Sequence, residues 1–259
     1  MKKDVFMHYR PEERPFIQRV IEFAERTDER QTPMLTDFLD PRQVMIANNI
    51  ARTMGTVQIY TYGGYEEAER QRALFLPLYW QPDEGDFALA YFRAEIIGDG
   101  KTVQHGDYLG ALTGLGLKRS KMGDISVYDG GADFVVAQEI ADYVRLHLHQ
   151  VGRMSVRLRE IGKEDFRNPN VQYAEKEFTV MSLRLDAVAA EGFGLSRSKI
   201  IEPVRSGKVQ LNWQVADDPS TPVEEGDVIS VRGKGRLRIL EIGKTTKKGR
   251  TVVRVGKYI

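Results

Sequence analysis

Cysteine is absent from this 259-residue chain. That excludes disulfides, thiolate metal ligands and cysteine nucleophiles together, and it fits an intracellular protein that never needed oxidative staples. Histidine is scarce as well, with 4 in the whole chain. His147 and His149 sit two apart on a predicted helix and so point to different faces, while His8 and His105 stand alone; no shared metal is expected. Long apolar runs are missing too. The longest, from Ala73 to Trp80, is far too short to span a bilayer, and the N-terminal MKKDVFMHYRPEERPF lacks the apolar core of a signal peptide. No P-loop, dinucleotide glycine fingerprint or nucleophile elbow occurs. The expectation is a cytoplasmic protein without cofactor, metal or membrane contact.

What is present is an uneven distribution of charge. The net charge of +1 hides a tail, residues 181–259, in which 15 Lys plus Arg face 9 Asp plus Glu, giving +6. The first 180 residues hold 23 cations against 28 acids, giving −5. From Arg232 onward ten cations accompany the single acid Glu241. A surface of this kind attracts polyanions whatever the total charge of the chain, and the competing reading is a merely solvated basic hairpin.

Pattern and punctuation divide the chain into three parts, an α+β organisation with a mixed α/β domain over residues 1–82, a second domain over 83–162 and a third over 178–259. In the first, Phe16, Val20, Phe23 and Ile17, Ile21, Ala24 recur at helical spacing, and Asp40 before Pro41 predicts a capped second helix that stops at Gly55. TVQIYTY and ALFLPLYW follow as strands, and QPDEGD, residues 81–86, reads as a linker. The second part reads βαββαβ, from ALAYFRAEII through a helix near His105 to Leu115, GDISVY, ADFVVA, the helix QEIADYVRLHL and MSVRLREI. This is the ferredoxin-like order, shared by RNA-recognition modules and many unrelated proteins. GADFV places Gly131, Phe134 and Val135 where such a module stacks bases, with Tyr91 as a second platform; the alternative is that these aromatics are core. Lys118, Arg119 and Lys121, beside Ser120, are candidates for secondary RNA phosphate contacts. Residues 162–177 read as a connector.

In the third part, SLRLDAVAAEGFGLSRSKIIEPVRSGKVQLNW followed by GDVISV resembles the RNA-binding S-four domain, over more than forty residues. Ser196 is placed to cap a helix whose first turn carries Arg197, Ser198 and Lys199, a setting that receives a phosphate well. Lys208 enters a strand after the Gly207 turn and brackets the RNA backbone from the other side. Arg197 shares a stripe with Ile201 and Val204. Pro203 removes an amide donor and predicts a kinked or short helix, which would move Arg205 into the turn. Asp186 reads as a structural partner for a nearby cation. The RNA-binding candidates are Arg184, Asp186, Ser196, Arg197, Ser198, Lys199, Arg205, Lys208, Asn212, Lys234 and Arg236.

The whole chain resembles the bacterial YlmH family, also called RqcP, through GGYEEAERQRALFLP, through LGALTGLGLKRSKMGDI with VVAQEIADYV, and through the S-four signature. The resemblance implies three domains, N-terminal mixed, central RNA-recognition-like and C-terminal S-four. It further implies a non-enzymatic role in ribosome-associated quality control, with rRNA and tRNA on the large ribosomal subunit, and other quality-control factors, as partners. Two other classes compete with this reading. A pseudouridine-synthase type of enzyme needs an Arg-Leu-Asp ahead of a threonine- and glycine-rich stretch, but Arg184-Leu185-Asp186 is followed by AVAAEG. A protein-docking scaffold with an RNA-binding tail would use the acidic first two parts as its docking face.

Overall fold

The computed structural model describes residues 9–98 and 103–258; His8 lies outside them. The chain forms two compact units, Met1–Pro169 and Asn170–Ile259. No helix among the described residues is long and apolar enough to cross a membrane.

The first unit opens with α1 (Arg14–Arg30), whose Ile17, Val20, Ile21 and Ala24 are buried at the expected helical spacing. Next comes β1 (Met34–Leu39), which the sequence did not announce because a bulge between Leu35 and Phe38 breaks its alternation. At the start of α2 (Pro41–Met54), the Asp40 carboxylate accepts the Gln43 N–H at 2.8 Å and the Gln43 side chain accepts the Asp40 N–H at 3.0 Å, so two orphan donors are satisfied reciprocally. Gly55 ends the helix. With β2 (Val57–Tyr62) and β3 (Gln71–Pro77), β1 makes an antiparallel sheet of order β1-β3-β2.

A second sheet in the same unit is built from β4 (Leu89–Ile96), β5 (Met122–Tyr128), β6 (Gly131–Ala137), β7 (Gln150–Val151) and β8 (Met154–Ile161), in the order β5-β6-β4-β8-β7. The helices α3 (His105–Gly114) and α4 (Ala141–His147) supply Tyr108, Leu112 and Val144 to a core in which Phe92 and Phe134 stack at 5.7 Å. Phe134 has no exposed surface, which overturns the expectation that it stacks bases: it faces the helices. Tyr91 is committed as well, its hydroxyl donating to the Gly64 carbonyl at 3.1 Å and its ring packing on Phe166. Val135 joins Phe38 and Phe166 in a separate apolar cluster. The sheet face that an RNA-recognition module leaves open is covered here.

Polar clasps hold that cover in place. The buried Asp124 carboxylate accepts from the Tyr65 hydroxyl at 2.7 Å and from the Glu69 and Arg70 amides at 2.7 and 3.2 Å. Arg70 in turn donates to the Met122 and Phe38 carbonyls. Burial raises the Asp124 pKa despite these donors. Beside it, Arg93 and Asp133 form a buried two-point pair with both contacts at 2.7 Å, joined by the Tyr128 hydroxyl and the Arg167 amide.

In the second unit, β9 (Tyr173–Val180), β10 (Val209–Leu211), β11 (Gln214–Val215), β12 (Val228–Val231), β13 (Gly235–Thr245) and β14 (Thr251–Tyr258) form one antiparallel sheet of order β11-β10-β12-β13-β14-β9. The connector expected over 162–177 is shorter than that, because Tyr173 to Glu177 already belong to β9. Its many charges disguise a strand whose Phe178 and Val180 meet the core. The helices α5 (Leu185–Phe193) and α6 (Arg197–Arg205) lay Leu185, Val188, Ile200 and Val204 against Val209, Leu237, Val253 and Val255. Each such buried side chain contributes about 1.5–3 kcal/mol.

Candidate nucleic-acid interface

Helices leave their first amides without intrahelical partners. In α5 the Leu185 and Asp186 amides donate to the Thr221 and Pro219 carbonyls at 2.8 and 3.0 Å, which fixes the helix start against the 219–221 loop. Asp186 is thereby buried, with 1% of its surface exposed. Its carboxylate accepts from Arg184 Nε and Nη2 at 3.1 and 3.2 Å and from Arg197 Nη2 at 2.6 Å. Burial pushes the carboxyl pKa up, but the hydrogen bonds and charges of the two guanidiniums outweigh it and hold the group below its ordinary value. Asp186 thus orients two arginines, the structural-partner role read from the sequence, and its place among the RNA contacts is corrected. Its burial also denies it to a nucleotide.

Arg184 and Arg197 side chains remain 40% and 57% exposed. A guanidinium has five donors, so each keeps N–H groups beyond those given to Asp186. The Arg197 head reaches Asp186 at the α5 start.

Ser196 occupies the N-cap position of α6, but it makes no side-chain cap; its hydroxyl pairs with Ser198 Oγ at 3.0 Å. The capping role is corrected accordingly. Ser196, Ser198 and Lys199 are all exposed on the first turn. At the far end the helix runs on through Pro203 to Arg205, so it is not cut short at the proline and Arg205 is helical and exposed, not in the turn. Closure follows immediately: the Lys208 amide donates to the Pro203 carbonyl at 2.9 Å and the Gly207 amide to Val204 at 3.0 Å, with Gly207 at φ 68°. That left-handed position favours glycine. It delivers an exposed Lys208 to the head of β10.

Asn212 is also reassigned. It sits at φ 50°, its amide nitrogen donates to Asp227 at 2.7 Å and its oxygen accepts the Val228 N–H at 2.9 Å; both ends lock the β10–β11 turn. Lys234 is exposed in the β12–β13 turn. Arg236, on β13, holds its guanidinium 5.1 Å from the Tyr258 ring centroid. Arg232, Arg238, Tyr173 and Tyr258 were not singled out from the sequence. Arg232 and Arg238 lay within a charge run that was visible only as a run, and Tyr173 fell in the supposed connector.

Two of the three cations expected to make secondary phosphate contacts in the 118–121 loop are engaged within the protein. Arg119 donates to the Met122 and Gly123 carbonyls at 2.7 and 3.0 Å, and Lys121 bridges Asp37 and Glu139 at 2.5 and 2.8 Å. Of these three, Lys118 is exposed. Among the described residues no three His, Asp or Glu are grouped to hold a metal; His147 and His149 each meet a backbone carbonyl of their own segment.

Two arginines seated on a buried aspartate at the start of a helix pair, backed by a small sheet, define an RNA-binding module of the S4 class. The model described as "S4 domain" matches residues 183–229, "YlmH, N-terminal" matches 12–79, and "Putative RNA-binding domain in YlmH" matches 82–165. The chain belongs to the YlmH family. It is 40% identical over 245 residues to "Ribosome-associated protein quality control protein P2" of Bacillus subtilis (strain 168), covering 95% of each chain. Over 60 residues it is 43% identical to "Small ribosomal subunit protein uS4" of Acidithiobacillus ferrooxidans, covering 23% of this chain and 29% of that one. Among solved structures it resembles "Cell division protein ylmH from Streptococcus pneumoniae", with a TM-score of 0.54 and 27% identity over 62% of this chain and 98% of that one.

Proposed function

We propose that this protein is a non-enzymatic, cytoplasmic RNA-binding protein that associates with the large ribosomal subunit, contacts rRNA and tRNA there, and serves ribosome-associated quality control of stalled peptidyl-tRNA complexes. The quality-control role follows the name of its Bacillus subtilis relative. The observation that carries the reading is the Asp186 clamp, which fixes Arg184 and Arg197 beside the exposed first turn of α6. Ser196, Ser198 and Lys199 meet phosphate at that turn, Arg205 and Lys208 at the other end of the helix, and Lys234 and Arg236 beyond it. Phosphate contacts of this kind set affinity and register without reading sequence.

We further read the first unit as two domains, a mixed α/β one over 1–82 and a ferredoxin-like one over 83–162, with the S4 domain over 178–259. The strand order β5-β6-β4-β8 supports the ferredoxin-like assignment. Other quality-control factors are partners for the first unit, a reading favoured by the exposed Leu78 and Tyr79, at 60% and 67%.

The test is co-sedimentation with separated large and small subunits, with and without bound tRNA, of the parent and of the Arg197→Glu, Lys199→Glu, Lys208→Glu triple variant. The expected outcome is binding to large subunits by the parent and its loss in the triple variant. Retention by a folded triple variant would move the anchor to the first unit.

A further inference from the structure

α5 and α6 cover one face of the six-stranded sheet, through Leu237, Ile239, Val253 and Val255. Side chains alternate along a strand, so Arg236, Arg238, Arg254 and Tyr258 turn to the other face. Tyr173, the register partner of Tyr258 on β9, shares it.

Charge divides this face. On one part Arg254 is matched by Glu175 at 2.9 Å and Glu241 at 2.7 Å. On the other, Tyr173 and Tyr258 meet edge-to-face with centroids 5.0 Å apart, Arg236 lies over Tyr258 at 5.1 Å, and Arg238 shares the face, its guanidinium pKa raised by the two tyrosines beside it. Gly256 makes this arrangement fit. A Cβ there would stand 2.7 Å from Tyr173 ring carbons, so the ring rests on bare backbone and any other residue would lift it. Both tyrosines keep part of their surface exposed, and Arg238 is exposed.

This platform is connected to the helix pair by cations. The Arg232 amide donates to the Lys208 carbonyl at 3.0 Å, and Arg205, Lys208, Arg232 and Lys234 are all exposed. The register then places Arg236, on β13, opposite Ser230 of β12, the strand next to β10.

We propose that Tyr173, Tyr258, Arg236 and Arg238 form a second site, which binds an unpaired nucleobase of the RNA whose backbone the helix pair grips, the strand arriving along Lys208, Arg232 and Lys234. The inference rests on the RNA-binding reading of that helix pair. Aromatic rings and guanidinium planes both stack on the π-face of any base, and the cationic approach complements phosphate rather than an ordinary protein surface.

The test titrates the full chain with two RNAs, a blunt hairpin and the same hairpin extended by a single-stranded adenosine tail. The tail tightens binding by the parent about tenfold, the fold-change that stacking of one base supplies. Tyr258→Leu removes the gain and leaves blunt-hairpin affinity unchanged; Tyr258→Phe keeps it. Arg238→Gln provides a second arm should Tyr258→Leu fail to fold, and it also removes the gain. No gain from the tail in the parent, or a gain undiminished in both variants, overturns the proposal, the latter pointing to stacking elsewhere. The helix-pair reading is scored separately: the triple variant loses the blunt hairpin if that reading holds. A parent that ignores the blunt hairpin yet responds to the tail sinks the helix-pair reading alone. Binding of neither RNA sinks both.

Discussion

Asp186 gathers three helix-start features into one charge cluster: a carboxylate with 1% of its surface exposed, and the heads of Arg184 and Arg197. Its pKa lies below the ordinary 3.8 in the folded chain. The stability it contributes is therefore fully present above about 3.8 and is lost as pH falls through the lower folded value. Asp186→Asn should cost about 2 kcal/mol near neutrality, the range for hydrogen bonds to charged groups, and this difference should shrink below pH 3.8 as the parent carboxyl protonates. Urea midpoints at neutral and acidic pH measure both. The motif made Arg184, Asp186 and Arg197 legible together, because the S-four signature names them within fourteen positions of one another. Lys121 was illegible for the opposite reason: its partner Asp37 is 84 positions away, and a loop lysine looks free until the sheet that faces it is known.

Two elements show where local rules were overridden. Pro203 lacks the amide that would reach the Lys199 carbonyl one turn back, yet α6 continues because its burial of Ile200 and Val204 outweighs one missing bond, and because the Pro203 carbonyl itself closes the helix by accepting from Lys208. The strain-bearing position is Gly207. A Cβ there would meet Val215 at an ordinary 3.6 Å, so Gly207→Ala meets no steric obstacle and pays conformationally alone. The expected cost is about 1 kcal/mol in chemical denaturation, and Gly207→Asn should cost less, since asparagine tolerates the left-handed region. Helices α1 and α2 were readable from spacing and from the Asp40-Pro41 start. The strands β1 and β9 were not, one hiding behind a bulge and the other behind its charges.

For the whole molecule, each unit carries apolar clusters of its own, and residues 167–172 between them have no regular secondary structure. Most of that stretch is exposed, so limited proteolysis should cut first within Asn168 to Gln172 and leave two fragments that retain their secondary structure. Early cuts inside 60–70 would instead show that the Asp124 clasp opens readily. Division of the chain at the tail was visible in charge alone. The covering of the second sheet was not, because Tyr65, Phe166 and Phe38 reach it from three separate stretches of sequence.

That covering changes what a genetic screen would find. Tyr91, Asp124, Asp133 and Val135 occupy a face that would ordinarily be a free, sequence-tolerant surface, but here each is fastened by neighbours from elsewhere in the unit. Substitutions on it act through the fraction of chains that stay folded, so they would be recovered as loss of cellular abundance, cleared by proteases. Substitutions at Lys199 or Lys208 would leave abundance intact. Comparing protein level with activity across a mutant library would therefore draw the boundary between scaffold and grip residue by residue.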